Sequence, residues 1–259
     1  EESGAAWAAE DCDDPYFLLE DMKKAGRADF LPVYEDGALK KLAFALDGII
    51  NFVEVEGNAA FLNDFCADAS IRKYTHDSKP LYAALEKLGF SLAPVYFDTM
   101  LAGYLLNPSA SGYDVKRLAA EYSVPLPAIE EGAPGDADAA AVLPALADKL
   151  AEEIDKNAQG DLLRRIELPL ARVLAHMETV GFGVDEKGIA EYGDALQIQI
   201  DTLQAEIYQS VGYEFNINSP KQLATVLFDE LGLRGQLSAS RSQGLSALSE
   251  AVLAAARER

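Results

Sequence analysis

The sequence predicts an α/β domain followed by a helical segment without strands. Short apolar runs at residues 29–34, 41–46 and 49–55 have the length of strands, and the Asp-Gly pairs at 36–37 and 47–48 separate them, as in an antiparallel meander. Strand-like and helix-like segments then alternate, which is typical of a sheet covered by helices. The second half of the chain shows only helical periodicity.

The elements of the first half follow from its turn residues and from the spacing of its apolar residues. Residues 1–26 are acidic, and residues 10–14 (EDCDD) are expected to be solvated ahead of a short helix. Residues 130–138 form an acidic loop, and a helix at 139–156 is expected to bend at Pro144. Between the meander and this loop the predicted elements are a helix at 58–67, a strand at 73–76, a helix at 78–88, a strand at 95–98, a helix at 99–106 and a helix at 113–122.

Three helices are predicted in the second half, because apolar residues recur there at three and four positions. The first covers about 160–179 and ends at Gly181, since glycine breaks a helix. The second covers about 186–211 and keeps one apolar stripe. The third begins at Ser219, a good N-cap residue, with Pro220 in the first helical position.

Composition and charge limit the class of protein. With 259 residues, of which 49% are apolar, the chain can bury one sizeable core or one domain plus part of another. No apolar run approaches the roughly 20 residues that span a bilayer, and no basic-then-apolar leader suggests export. Cys12 and Cys66 are far apart and lack the spacing of metal ligands, so we expect a reduced cytoplasmic protein.

The negative charge is concentrated in the first part of the chain. Of the formal net charge of −21, residues 1–160 contribute −16, from 13 basic and 29 acidic residues, and residues 161–259 contribute −5, from 9 basic and 14 acidic residues. Duplex DNA is bound largely by Lys and Arg side chains that neutralise phosphates. The first part is therefore expected to repel nucleic acid. Any binding of DNA must involve a local group of residues in the second part.

A polar corner precedes the third of these helices. Asn216, Asn218 and Ser219 are short polar residues just before a helix N-terminus, where free backbone N–H groups and the helix dipole favour an anion such as phosphate. Residues of these types more often only cap a helix and turn the chain. By itself the corner leaves both interpretations open.

Four blocks of the second half stand in an order and at a spacing that identify a family. They are 167–171 (ELPLA), 177–185 (METVGFGVD), 214–223 (EFNINSPKQL) and 227–233 (LFDELGL). They resemble the start of the polymerase region in bacterial DNA polymerase I (family A), where these segments form the base and helices of the thumb, which grips duplex DNA. The resemblance implies phosphate contacts that position the duplex from Asn216, Asn218, Ser219, Lys221 and Arg241.

The first half resembles another region of the same family. Residues 76–80 (HDSKP), 97–108 (FDTMLAGYLLNP) and 113–119 (YDVKRLA) resemble the 3′–5′ exonuclease-like domain. This implies a ribonuclease H-like fold, with a mixed sheet and flanking helices, followed by an all-α partial thumb. The implied domains are an acidic N-terminal segment at 1–26, the exonuclease-like domain at 27–158 and the truncated start of the polymerase domain at 159–259.

The carboxylates of an active exonuclease are mostly absent. Active members hold two divalent ions, and hard ions such as Mg²⁺ need carboxylate oxygens. The family supplies Asp-x-Glu on the first strand, an Asp in the middle and Tyr-x-x-x-Asp near the end. Here Val33 and Leu81 occupy two of the Asp positions and Gly132 replaces the Tyr. Only the remnants Glu35 and Asp136 remain, so we expect an inactive site without metal.

Two alternatives stay open. One is a residual metal-dependent 3′–5′ exonuclease with Glu35, Asp136 and either Asp77 or Asp98 as ligands, since Asp98 follows a predicted strand. The other is a free-standing protein-interaction module, which the acidic first half permits. No triad supports hydrolysis of another kind, because no Ser or Cys partner is placed for either histidine.

The sequence has none of the palm and fingers motifs that polymerisation in the family needs. The thumb tip also differs, because residues 238–243 (SASRSQ) keep Arg241 as their only basic residue. We therefore expect no activity from the isolated chain and no cofactor in it, Mg²⁺ serving the intact family enzyme. The expected partners are duplex primer–template DNA, held weakly through the thumb, and the remaining palm and fingers.

Overall fold

The computed structural model describes residues 6–232, and the chain divides into two compact units, Glu1–Phe182 and Gly183–Arg259. The strands are β1 Ala8–Asp11, β2 Arg27–Glu35, β3 Ala38–Leu46, β4 Ile49–Glu54, β5 Arg72–Thr75 and β6 Phe97–Asp98. The helices of the first unit are α1 Tyr16–Ala25, α2 Ala59–Ala67, α3 Ser78–Lys87, α4 Thr99–Leu106, α5 Val115–Glu121, α6 Ala137–Lys156, α7 Gly160–Leu162 and α8 Leu168–Val180. A π-helical turn, Leu163–Glu167, joins α7 to α8.

The second unit is helical over the part that the structure describes. It contains α9 Glu186–Val211, α10 Pro220–Ala224 and a π-helical continuation, Thr225–Glu230. The predicted start of the polymerase domain, residues 159–259, includes α7 and α8. The two compact units instead divide after Phe182, so α7 and α8 belong to the first unit. The predicted domain boundaries remain a prediction, because compact units need not coincide with domains. No helix within residues 6–232 is long and apolar enough to cross a membrane.

The sheet is mixed, with the strand order β1-β4-β3-β2-β5-β6. The predicted meander is confirmed, since β2, β3 and β4 pair antiparallel. Its two-residue turns are Asp36-Gly37 and Asp47-Gly48, and all four residues have positive φ angles, as a type I′ hairpin turn requires. β5 pairs parallel with β2, and β6 pairs parallel with β5.

The N-terminal acidic segment contains a strand that the sequence did not predict. Glu10 and Asp11 are exposed, as expected, but they belong to β1, which pairs parallel with β4 in the register Ala8↔Ile49. The Trp7 N–H also donates to the carbonyl of Ala128 at 2.8 Å. A parallel partner lies far away in sequence, so local periodicity does not reveal it.

The sheet is covered by helices on both faces. On one face, Phe30 of β2 and Phe44 of β3 contact Phe61 and Phe65 of α2, with ring centroids 5.1 to 6.0 Å apart. On the other face, α6 packs against the sheet strands. Side chains alternate between the faces of a strand, so these two layers enclose the sheet. This three-layer arrangement agrees with the predicted α/β class.

The phenylalanine cluster gives a test of the core. Replacing Phe65, which is fully buried, by Ala is expected to lower the free energy of unfolding by about 3–5 kcal/mol, because it leaves a cavity among three rings. Urea denaturation followed by circular dichroism measures this. Phe17→Ala on α1 is the control, since Phe17 is 49% exposed and should cost less than about 1 kcal/mol. Equal effects of the two substitutions would contradict this account of the core.

Candidate functional site

A cleft of about 430 Å³ opens at the end of β2 that leads into the first hairpin. Its walls come from β2, from the residues that join β5 to α3 and from the starts of α5 and α6. The lining residues are Leu31, Pro32, Val33, Tyr34, His76, Asp77, Pro80, Asp114, Val115, Lys116, Asp136 and Ala139.

The predicted exonuclease positions reach this cleft only in part. Val33 and Asp136 line it together, so the structure brings these two positions close. Glu35 is exposed and lies outside the lining, and Leu81 is fully buried in the core beneath α3. Gly132 lies in the exposed loop before α6. The two remnants, Glu35 and Asp136, therefore do not line the cleft together.

The pairing of β2 with β3 is irregular beside the cleft. The register shifts between Val33 and Tyr34, and Lys40 of β3 has no partner in it, so the bulge lies on β3. Glu35 pairs with Ala38 beyond this bulge and next to the hairpin turn, and it lies outside the cleft lining.

Asp98 has a structural role. Its carboxylate accepts backbone N–H bonds from Met100 and Leu101 in the first turn of α4, at 2.9 and 3.3 Å. It also accepts from Asp77 and Ser78 at the start of α3, at 3.0 and 2.6 Å. One fully buried carboxylate thus caps two helices. With both oxygens engaged, Asp98 does not fit the ligand role that the nuclease alternative gave it.

His76 and Asp77 form the floor of the cleft beside this cap. The Nδ1 atom of His76 lies 2.8 Å from Oγ1 of Thr99. Burial lowers the pKa of His76, and the nearby carboxylates of Asp98 and Asp114 offset this only in part. Burial and the neighbouring Asp98 raise the pKa of Asp77. The lowered pKa of His76 therefore favours its uncharged imidazole in the cleft.

The sequence did not single out Tyr34 and Asp114 as cleft residues. Burial, followed by the charge of Asp77, raises the pKa of the Tyr34 hydroxyl. Asp114 accepts a hydrogen bond from the Arg117 N–H at 3.0 Å, which caps α5. Because Asp114 stands just before a helix, the sequence could have indicated that it is an N-cap. Its position in the cleft depends on how α5 packs, which the sequence does not show.

The polar corner of the second unit is held by its own hydrogen bonds. The Asn218 N–H donates to Oδ1 of Asn216 at 3.0 Å, and the Asn216 N–H donates to Oε1 of Gln222 at 2.9 Å. Ser219 caps α10 by accepting from the Gln222 N–H. These bonds establish the capping interpretation. The side-chain NH2 groups of Asn216 and Asn218 have no acceptor within residues 6–232, so a ligand can still use them.

Comparison with known proteins identifies the family. The model of the ribonuclease H-like domain of DNA polymerase I matches residues 47–131, and the model of DNA polymerase family A matches residues 186–259. The chain belongs to the bacterial DNA polymerase I family. DNA polymerase I of Geobacillus stearothermophilus is 37% identical over 182 residues, which are 64% of this chain and 21% of the relative. DNA polymerase I of Bacillus subtilis is 33% identical over 178 residues, which are 62% of this chain and 20% of that relative.

A solved structure agrees with this assignment. The POL domain of Pol1 from M. smegmatis, in complex with DNA primer-template and dNTP, matches with a TM-score of 0.71 and 28% identity. The match covers 86% of this chain and 41% of that chain. The present chain spans about a fifth of the length of the curated DNA polymerase I relatives. The predicted exonuclease-like fold followed by polymerase helices is confirmed.

The cleft does not fit the metal pair of an active polymerase I exonuclease. Within the described residues, no three His, Cys, Asp or Glu side chains come together in a way that could hold a metal ion. Val33 and Leu81, where the family resemblance implies carboxylates, have aliphatic side chains, and a hard ion such as Mg²⁺ needs oxygen ligands. Lys116, another lining residue, pairs with Asp138 at 2.7 Å. No catalytic step through a metal follows from this arrangement.

The second unit has few cations that could contact phosphate. Residues 183–232 contain two basic and nine acidic residues. Lys187 pairs with Glu191 at 3.5 Å, whereas Lys221 is exposed and has no carboxylate partner among the described residues. Arg241 lies outside the described residues. Any phosphate contact within residues 183–232 therefore depends on Lys221 and on uncharged donors.

The cap formed by Asp98 gives a test that separates structure from metal binding. Asp98→Ala removes the acceptor of four buried N–H bonds and is expected to lower the free energy of unfolding by about 3 kcal/mol. Asp136→Ala is the control, because the Asp136 side chain makes no cap hydrogen bond and should cost less than about 0.5 kcal/mol. Urea denaturation of both variants measures the difference. Comparable stability of the two would show that Asp98 is not a cap of this importance.

Proposed function

We propose that this chain acts as the architectural part of a bacterial DNA polymerase I. Its first unit is an inactive exonuclease-like domain that braces the polymerase module, and its second unit is part of a thumb that holds primer–template duplex. The observation that carries this proposal is the lining of the cleft, which includes Val33, at a position where the family resemblance implies a carboxylate. The chain itself is expected to be non-catalytic.

Three features of the first unit support an inactive scaffold. Leu81 is fully buried in the core, so it serves packing at a position where the family has an acid. Asp98 is used by two helix N-termini. Glu35, although retained, is exposed and outside the cleft lining. The fold is thus stabilised by contacts that need no metal, while the ligands for a metal pair are missing.

The proposed duplex contacts lie in the thumb. Asn216, Asn218 and Ser219 stand before α10, and Lys221 follows in its first turn. Carboxamide, hydroxyl and ammonium groups at a helix N-terminus suit phosphate oxygens, and Arg241 extends this set. The related M. smegmatis structure contains DNA primer-template, which supports the assignment. Because acidic residues outnumber basic ones here, we expect the chain alone to bind duplex weakly.

The remaining partners follow from the family. The palm and fingers of a family A polymerase are the proposed protein partners, and the Mg²⁺ ions of polymerisation belong to them. A cytoplasmic location is proposed, supported by two cysteines that remain unpaired thiols, Cys12 and Cys66. Burial raises the pKa of the Cys66 thiol to about 12, so this thiol stays protonated and unreactive.

The inactive cleft is tested by metal titration and cleavage together. Calorimetric titration with Mn²⁺ is expected to show no binding tighter than about millimolar, because too few oxygen ligands converge. A single strand labelled at its 5′ end should stay intact at its 3′ end in the same buffer. Tight binding with 3′ trimming that Glu35→Ala abolishes would instead establish the residual nuclease.

The thumb contacts are tested by duplex titration at several salt concentrations. Lys221→Ala is expected to reduce the slope of log K against log salt by about one, because one phosphate contact is lost. Lys187→Ala is the matched control and should leave the slope unchanged, since Lys187 is already paired with Glu191.

The two asparagines are tested in the same titration. Asn216→Ala with Asn218→Ala should weaken duplex binding about fivefold to tenfold, and the control Gln209→Ala should leave it unchanged. An unchanged affinity for duplex in the double asparagine variant would contradict the assignment of Asn216 and Asn218 as DNA contacts.

A further inference from the structure

One peptide group of the polar corner is held from both sides. It joins Phe215 to Asn216, directly before the asparagines of the proposed DNA contact. Its carbonyl oxygen, that of Phe215, accepts a hydrogen bond from the Tyr208 hydroxyl at 2.9 Å. Its N–H group, that of Asn216, donates to Oε1 of Gln222 at 2.9 Å. Tyr208 belongs to α9 and Gln222 to α10, so two helices fix the plane of this peptide. We call Tyr208 and Gln222 the peptide clamp.

The hydroxyl of Tyr208 is itself oriented by a residue of α9. Gln204 lies about one helical turn earlier, and its Nε2 atom donates to the Tyr208 oxygen at 3.0 Å. The hydroxyl thus accepts from Gln204 and donates to the Phe215 carbonyl, and hydrogen bonds in such a chain strengthen one another. The rings of Tyr208 and Phe215 also contact each other edge to face, with centroids 5.9 Å apart. The Tyr208 side chain therefore has a defined position.

The turn that follows the clamped peptide leaves one group of Asn216 available. Its Oδ1 atom accepts from the Asn218 N–H at 3.0 Å, and its carbonyl oxygen accepts from the Ser219 N–H at 2.9 Å. Both acceptors of Asn216 are thus used inside the turn, whereas its side-chain NH2 group has no acceptor within residues 6–232. Because the preceding peptide is fixed, this NH2 group is presented in a defined orientation.

We propose that Tyr208 and Gln222 are positioning residues for the contact between the second unit and a DNA phosphate. This inference rests on the proposed function and goes beyond it, because neither side chain has to touch DNA. A flexible turn loses conformational freedom when it binds a ligand, and this loss weakens binding. A turn that the clamp has already fixed avoids the loss. The clamp therefore raises the affinity for duplex, and it acts through Asn216 and Asn218.

Positioning is distinguishable from two simpler roles of the same residues. In the first, Tyr208 only packs, and its ring matters but its hydroxyl does not. In the second, Gln222 contacts DNA directly, since it is exposed next to Lys221. Positioning instead requires the Tyr208 hydroxyl, and its effect disappears once the asparagine side chains are gone. The structure favours positioning, because both hydrogen-bonding groups of one peptide are engaged by the clamp.

The experiment titrates a labelled primer–template duplex with the full chain at low salt. Tyr208→Phe keeps the ring and removes the hydroxyl, and it is expected to weaken duplex binding about threefold to fivefold. Gln222→Met keeps the length of the side chain, removes the acceptor and should weaken binding by a similar factor. Tyr192→Phe is the matched control, because it makes the same change on the same helix. Tyr192 is 68% exposed and lies about 24 Å along α9 from Tyr208, so its affinity should be unchanged.

A second set of variants shows whether the clamp acts through the asparagines. In a chain that carries Asn216→Ala and Asn218→Ala, Tyr208→Phe should change the affinity by less than about 1.5-fold, because residues that act through one another are not additive. Gln222→Met should likewise have no further effect in that chain. The slope of log K against log salt should stay unchanged in both clamp variants, since neither removes a cation.

Hydrogen exchange tests the clamp in the absence of DNA. The Asn216 N–H should exchange about threefold to tenfold faster in Tyr208→Phe and in Gln222→Met, because the turn opens more often. Exchange at Phe65 in the first unit should not change. Circular dichroism checks that both variants keep their helices, which is expected because neither substitution removes apolar packing.

Three results would overturn the inference. They are an unchanged affinity in Tyr208→Phe, the full loss of affinity on adding Tyr208→Phe to the asparagine variant, and an unchanged exchange rate of the Asn216 N–H. Failure of the proposed function gives a different result. In that case the asparagine variant itself binds duplex as the unchanged chain does, and the positioning role falls together with the contact.

Discussion

The carboxylate of Asp98 is the constraint on which the rest of the first unit depends. It accepts backbone N–H groups from the first turns of α3 and α4, so two helix N-termini converge on one buried charge. An uncompensated charge in this position would be costly. The four hydrogen bonds and the positive ends of the two helix dipoles supply the compensation. They also hold Asp77 in a left-handed conformation with φ of 52°.

This arrangement explains how the exonuclease-like fold is stabilised by contacts among its own residues. The cap sets where His76 and Asp77 meet the end of β2, and the phenylalanine cluster stabilises the sheet from the other face. Neither feature needs a metal ion. At two positions where the family resemblance implies carboxylates, the apolar side chains of Val33 and Leu81 avoid the repulsion that neighbouring carboxylates would have without an ion. This agrees with the scaffold role that we propose.

The exposed apolar surface and the negative charge suit an architectural role. The first unit is strongly acidic, which disfavours direct contact with DNA. Exposed apolar side chains on α8, such as Val173 and Met177, instead favour contact with protein. In the second unit, Lys221 and the polar corner are the groups that we propose for phosphate contact.

The sequence by itself determined the class of the fold, most element boundaries and the family, because these depend on local signals. Two-residue Asp-Gly turns, helical spacing and blocks such as residues 97–108 can be recognised without a partner in space. It also predicts that the exonuclease carboxylates are incomplete. The polar corner was located correctly, and the structure added the bonds from Asn218 to Asn216 that form its turn.

The tertiary structure decided what depends on distant partners. β1 was missed because its partner, β4, is about 40 residues away in the register that pairs Ala8 with Ile49. The bulge near Glu35 arises from the pairing of β2 with β3, and the sequence of β2 alone does not specify it. Asp98 looked like a ligand at a strand end. Only the convergence of the N-termini of α3 and α4 shows that its oxygens are already engaged, since hydrogen bonds across 20 residues depend on the fold and not on local pattern.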